Sequence, residues 1–173
     1  MKHREKKHIF CIKKATLKNK VTFFSRQSDV PSIDFRILGD AIEKKFSNCK
    51  VVMLTEQLKN PFKYILSIIR QMYHIATSKT VILDSYCIPI SVLKHKKKLC
   101  VIQIWHAIGS MKHFGYDMLD KEEGNSSEVA KIMCMHKNYT YILISSYGFI
   151  KDFLTNKFPT AITKFHFKNR KLS

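Results

Sequence analysis

Short β-branched and aromatic runs alternate along this chain with longer segments of helical period, and that alternation sets the fold class before any single residue does. Residues 21–24 form a brief strand run, followed by a polar loop over residues 25–32 that holds Pro31. Ser32 reads as an N-cap with Asp34 in the first turn. Ile33, Ile37, Leu38, Ala41, Ile42 and Phe46 then fall on one helical face, with Lys44 and Lys45 near its end, where cations suit the helix dipole. Residues 50–54 are a second buried-strand run. Asn60 and Pro61 open a second helix, in which Phe62, Ile65, Leu66, Ile69, Met72, Tyr73 and Ala76 make one apolar stripe.

The pattern repeats with a strand over residues 80–83, a short helical piece over 88–93 and an almost continuous apolar strand over 99–104. Asn125 and Glu128 have capping-box spacing ahead of a helix with Val129, Ile132, Met133 and His136 on one face. A strand over 139–144 and a helix over 147–154 complete the series. Strands separated by helices require crossovers, so the expected fold is α/β, a Rossmann-like parallel sheet with flanking helices. Residues 1–20 read as a basic leader, residues 21–154 as the domain, and residues 155–173 as a basic tail, without a clear period and loosely held.

Charge narrows the partners. Against 13 Asp and Glu stand 31 Lys and Arg, a formal net charge of +18, which implies an anionic partner. The excess is concentrated in the leader, at residues 94–98 and in the tail, although such runs also occur as solvated faces. The 5 cysteines are odd in number, widely spaced and without a CxxC pair, and read as reduced residues of a cytoplasmic chain. No apolar run approaches the roughly 20 residues of a spanning helix, so membrane contact is expected to be peripheral.

Ligands of open parallel sheets bind beyond the carboxyl ends of the strands. Four loops qualify here: residues 25–32, 84–86, 105–116 and 145–147. In the third, Trp105 and His106 directly follow an apolar strand, with Gln103 in that strand and Gly109, Lys112 and Gly115 beyond. A neutral imidazole at such an edge can take a proton from a hydroxyl nucleophile. A Trp-His pair alone does not distinguish that role from a structural one. Arg26 with Ser25 and Ser28 could bind phosphate at a helix entrance or simply cap it. Asp84 and Ser85 read as a strand terminus, and His74 as a core or surface histidine. The remaining histidines lack metal-ligand spacing, and no GxSxG, GxxxxGK or GxGxxG motif occurs.

Taken together, residues 101–106 (Val-Ile-Gln-Ile-Trp-His) followed by Gly109, Lys112 and Phe114-Gly115 resemble the CDP-glycerol glycerophosphotransferases that build teichoic-acid-like polymers. Residues 25–36 and 76–86 resemble the matching parts of that family's amino-terminal half. The resemblance spans roughly residues 21–153. It implies a GT-B architecture of two Rossmann-like domains facing a cleft, and a membrane-peripheral enzyme on the inner face of the cell membrane. It also implies His106 as catalytic base; beside it, the residues themselves lead us to expect Arg26, Ser25, Gln103, Trp105 and Lys112 on the substrate and no cofactor or metal. The implied partners are a CDP-glycerol donor, an anionic glycerol-phosphate polymer acceptor and an anionic membrane surface. Ala107 departs from the glycine that many members carry. A second, donor-binding domain is expected to be missing, which leaves an acceptor-side half inactive alone. A nucleic-acid-binding module rests on the charge alone and a non-catalytic remnant is a third reading.

Overall fold

The computed structural model describes residues 15–57, 61–104, 120, 126–144 and 165–167. The α/β expectation holds. Among the described residues six strands, β1 (Lys18–Ser25), β2 (Lys50–Thr55), β3 (Ser78–Leu83), β4 (Cys100–Ile104), β5 (Tyr141–Ile144) and β6 (Phe165–Phe167), pair in the order β2-β1-β3-β4-β5-β6. Every pairing is parallel. Helices α1 (Ile33–Lys45), α2 (Pro61–Thr77), α3 (Ile88–Val92) and α4 (Ser127–Ile132) lie between the strands in sequence. β1 begins three residues inside the stretch read as leader, and β6 takes up three residues of the stretch read as tail. A three-residue strand is too short to show a period, and its formation depends on β5 being there to receive it.

The chain moves from β1 to β2 in one direction and from β2 to β3 in the other, and right-handed crossovers then force their helices onto opposite faces. On one face α1 packs Phe35 against Phe23 and Ile82, with the Phe23 and Phe35 rings 4.9 Å apart, and Leu38 and Ile42 beside them. Ser32 caps α1 by accepting from the Phe35 N–H, as the sequence suggested. The buried line of α1 differs from the expected one: Phe35 and Gly39 face the sheet, while Ile33, Ile37 and Phe46 are exposed. Gly39 fits there because a Cβ would stand 2.5 Å from the Met53 methyl.

On the other face Ile75 of α2 and Ile90 of α3 close over Phe24, Val81, Leu83 and Val101. A buried hydroxyl pair, Thr22 Oγ1 to Ser78 Oγ at 2.8 Å, joins β1 to β3 under this layer. α2 is turned the opposite way from what its stripe suggests. Its inward line holds Ser67, Gln71 and Ile75, and Phe62, Ile65, Leu66, Ile69 and Tyr73 look outward. The inward polar groups are satisfied locally: Gln71 Nε2 donates to Ser67 Oγ and the Cys87 thiol donates to Gln71 Oε1.

α4 is capped by Ser126, whose hydroxyl accepts from the Val129 N–H, rather than by Asn125. It ends after six residues, so Val129 and Ile132 are exposed, while Ala130, Met135 and His136 go inward. Cys134, His136 and Asn138 have positive φ, which coils the chain tightly into β5. The Asn138 side-chain amide donates to the Ile90, Ser91 and Leu93 carbonyls, tying that turn to the end of α3. Asn also tolerates the left-handed backbone better than most residues. Asn138→Ala is expected to destabilise the fold by about 1–3 kcal/mol, since it orphans carbonyls at a helix end. A urea midpoint unchanged from the parent would show that these bonds contribute nothing.

Candidate functional site

β1 and β3 are neighbours whose following helices lie on opposite faces, so their carboxyl ends bound the crevice of the sheet. The loop after β1 and the loop after β3 meet there. The Arg26 N–H donates to Ser85 Oγ at 3.2 Å, and its guanidinium Nη1 donates to the Tyr86 carbonyl at 3.3 Å. The β1 loop is held from its other side by β2. The Glu56 N–H donates to the Ser25 carbonyl, the Gln57 N–H to Asp29 Oδ1 and Gln57 Nε2 to the Gln27 carbonyl. The result is a solvent-exposed guanidinium anchored by one nitrogen at the mouth of the crevice, with its other donors free of that bond.

The other candidates in the described residues are enclosed. Ser25 is buried, and its hydroxyl accepts from the Gln27 N–H, closing a local turn. Gln103, on β4, is fully buried on the face beneath α3, in register with Leu83 and Ile142. Both atoms of its amide lie without a hydrogen-bond partner. Of the three, therefore, Arg26 alone presents its polar group to solvent, and Ser25 and Gln103 are buried. Trp105, His106 and Lys112, together with the expected helix over 147–154, lie outside the described residues. β4 runs parallel to β1 and β3 and ends at Ile104 on the same edge of the sheet.

The sequence placed residues 84–86 in a loop at the ligand edge and read Ser85 as ending a strand, without foreseeing that Ser85 and Tyr86 both hold Arg26. Tyr86 also donates its hydroxyl to the Met133 carbonyl at 2.8 Å, and its ring lies 5.5 Å from that of His136. Burial pushes its phenol up to about 12, so it stays a neutral donor. Burial likewise pushes the Cys87 thiol up to about 12, which removes it as a nucleophile near neutral pH. His74 sits at the opposite, amino edge, 3.3 Å from Lys20 Nζ. Burial first, then the charges of Lys20, Arg70 and Lys50, pushes it down to about 4.

Lys96 is not part of a free lysine run: its ammonium donates to the Ala15 and Ala76 carbonyls, leaving Lys94, Lys97 and Lys98 exposed beside it. No helix among the described residues is long and apolar enough to cross a membrane.

A parallel sheet in this order, with an arginine seated where its crossovers diverge, defines a Rossmann-like α/β domain. Residues 7–167 match the family described as CDP-Glycerol:Poly(glycerophosphate) glycerophosphotransferase, and the chain belongs to that family. It is 31% identical over 139 residues to the teichoic acid ribitol-phosphate primase of Bacillus spizizenii strain W23, covering 78% of this chain and 36% of that one. To the teichoic acid glycerol-phosphate primase of Bacillus subtilis strain 168 it is 31% identical over 108 residues, 62% of this chain and 27% of that one. To the teichoic acid poly(ribitol-phosphate) polymerase of B. spizizenii W23 it is 27% identical over 135 residues, 78% of this chain and 21% of that one. The chain thus spans about a third or less of these relatives.

Proposed function

We propose that this chain is the acceptor-side half of a GT-B-type glycerophosphotransferase acting in teichoic acid synthesis. A terminal hydroxyl of a glycerol-phosphate or related acceptor attacks the β-phosphorus of CDP-glycerol. The new P–O bond forms as the bond from that phosphorus to the bridging oxygen breaks, and CMP leaves. His106 takes the hydroxyl proton, Arg26 and Lys112 hold phosphates, and Trp105 walls the cleft. Ser25 and Gln103 shape the edge from beneath. CDP-glycerol is bound mainly by a second domain.

The observation that carries this reading is the seating of Arg26. Its guanidinium is fixed by Tyr86 at the crevice between β1 and β3, and β4 ends on the same edge at Ile104, the residue before Trp105 in sequence. A guanidinium held by part of its donor fork presents the rest to a phosphate bidentately. The family and the three relatives supply the reaction class. The enzyme works on the inner face of the cell membrane, with the net charge of +18 serving the anionic acceptor and surface.

Alone, the 173-residue chain is expected to release no CMP from CDP-glycerol above a His106→Ala control, because positioning of donor against acceptor supplies much of the rate. Joined to the carboxyl-terminal half of a related enzyme, it is expected to turn over. A joined enzyme that is folded and inert towards both CDP-glycerol and CDP-ribitol would overturn the reading.

A further inference from the structure

Beside the Arg26 crevice, where the carboxyl end of β2 meets the middle of α2, lies a cleft of about 70 Å³ lined by Met53, Leu54, Thr55, Glu56, Ser67 and Arg70. One water needs roughly 10–15 Å³ of such space, so the cleft takes a group of a few heavy atoms and not a nucleoside. Its walls are of two kinds. Met53 and Leu54 supply apolar surface, each packed against one of the two core layers. Glu56 and Arg70 supply charge, with Arg70 Nη1 donating to Glu56 Oε1 at 3.4 Å. The Arg70 and Glu56 side chains are 60% and 42% exposed, and an ion pair so open to water contributes little to stability. It also leaves most of its polar capacity outside the bond: the second carboxylate oxygen and the remaining guanidinium N–H donors.

This pairing suits hydroxyl groups on a short carbon chain. The carboxylate accepts from the hydroxyls, the guanidinium donates to their oxygens, and the carbon edge lies on Met53 and Leu54. A bare phosphate in the same place would meet the Glu56 charge, which repels it. The cleft also adjoins Arg26 by construction. Ser25 and Thr55 are register partners, and the Glu56 N–H donates to the Ser25 carbonyl at 3.1 Å. Arg26 and Glu56 therefore leave neighbouring strand ends with their backbones roughly 5 Å apart, the spacing of paired strands. In a polyol phosphate chain every phosphate is followed by a polyol, so a phosphate on Arg26 brings the next polyol to Glu56.

We propose that this cleft is a polyol subsite of the acceptor, in which Glu56 and Arg70 bind the free hydroxyls of the glycerol or ribitol unit next to the phosphate held by Arg26. The inference rests on the acceptor-side reading of the proposed function. It adds a place where the chain tells a polyol phosphate from other polyanions, which the positive charge alone cannot do.

The test is calorimetric binding of the full chain to two synthetic trimers, glycerol phosphate and propanediol phosphate, which share length and charge and differ in the secondary hydroxyls. The wild type is expected to bind the glycerol trimer roughly 10-fold more tightly, an ordinary gain for a hydroxyl bonded to a charged group. Glu56→Ala is expected to abolish that preference. Because it removes a negative charge, it should if anything tighten both trimers, so the ratio is the readout. Arg70→Lys keeps the charge but loses the planar fork, and is expected to reduce the ratio as well. Both sites are exposed, so melting curves should be unchanged. Arg26→Gln is expected to weaken both trimers and leave the ratio intact. A wild type that binds the two trimers equally, with Arg26→Gln weakening both, overturns the subsite and leaves Arg26 as the phosphate contact. A preference that persists in folded Glu56→Ala and Arg70→Lys places the hydroxyl recognition elsewhere and overturns the inference. A wild type that binds neither trimer removes the subsite and the acceptor-side reading together.

Discussion

His106→Ala, in an enzyme completed with the donor-binding half of a relative, is expected to lower turnover by roughly 100-fold to 10,000-fold while leaving donor affinity nearly intact. The reasoning is that loss of a general base removes stabilisation made only in the transition state, so kcat falls and ground-state binding does not. A purely structural His106 predicts a different pattern: stability falls by about 1 kcal/mol and turnover falls only as folded protein is lost. His106→Gln separates the two, because glutamine keeps a polar side chain of similar reach but cannot carry the proton. A folded His106→Gln enzyme with near-normal turnover takes His106 out of the mechanism. The phosphate contacts assigned to Arg26 and Lys112 would survive that result, since they depend on charge placement and not on the base.

Lowering the pH from about 6.5 to about 4 is expected to cost the fold about 3 kcal/mol through His136 alone. The imidazole is buried in the turn before β5, with Nδ1 3.1 Å from the Tyr139 hydroxyl, and burial pushes it down to about 4 from 6.5. Between those two values the unfolded chain binds a proton that the folded chain refuses, so stability rises with pH across this window. The full stability is present above 6.5, and the loss is complete below about 4. His74 is displaced in the same direction and adds to the slope, with its screening by solvent reducing the share. His136→Asn isolates the larger contribution, because asparagine accepts the left-handed backbone at φ 60 yet carries no titrating group. Urea midpoints measured between pH 7 and 4 should converge for the two proteins as pH falls. Parallel curves would mean that His136 charges in the native state without penalty.

The class of fold was legible in the chain because it depends on local period. Strand runs at residues 21–24, 50–54, 80–83 and 99–104 each lie within, or one residue from, an observed strand, and the caps and breaks at Ser32 and Pro61 start the helices where expected. Candidate chemistry was legible in part, since a polar residue directly after a parallel strand must lie at the ligand edge, as Arg26 does. Periodicity, however, states which residues share a helix face and not which face meets the sheet. That choice is made by strand order and crossover hand. With β1 between β2 and β3, α1 turns Phe35 and Gly39 inward and leaves Ile33 and Ile37 in solvent, and α2 sets Ser67 and Gln71 against the core and its apolar stripe outside. Contacts between segments far apart in sequence were equally invisible: Arg26 on Tyr86, Lys96 on Ala76 and Asn138 on α3 are 60, 20 and 45–48 residues apart. Local sequence determined that these elements form. The topology of the sheet decided which of their faces are free to bind, because burial is a property of two surfaces meeting and a single segment specifies one of them.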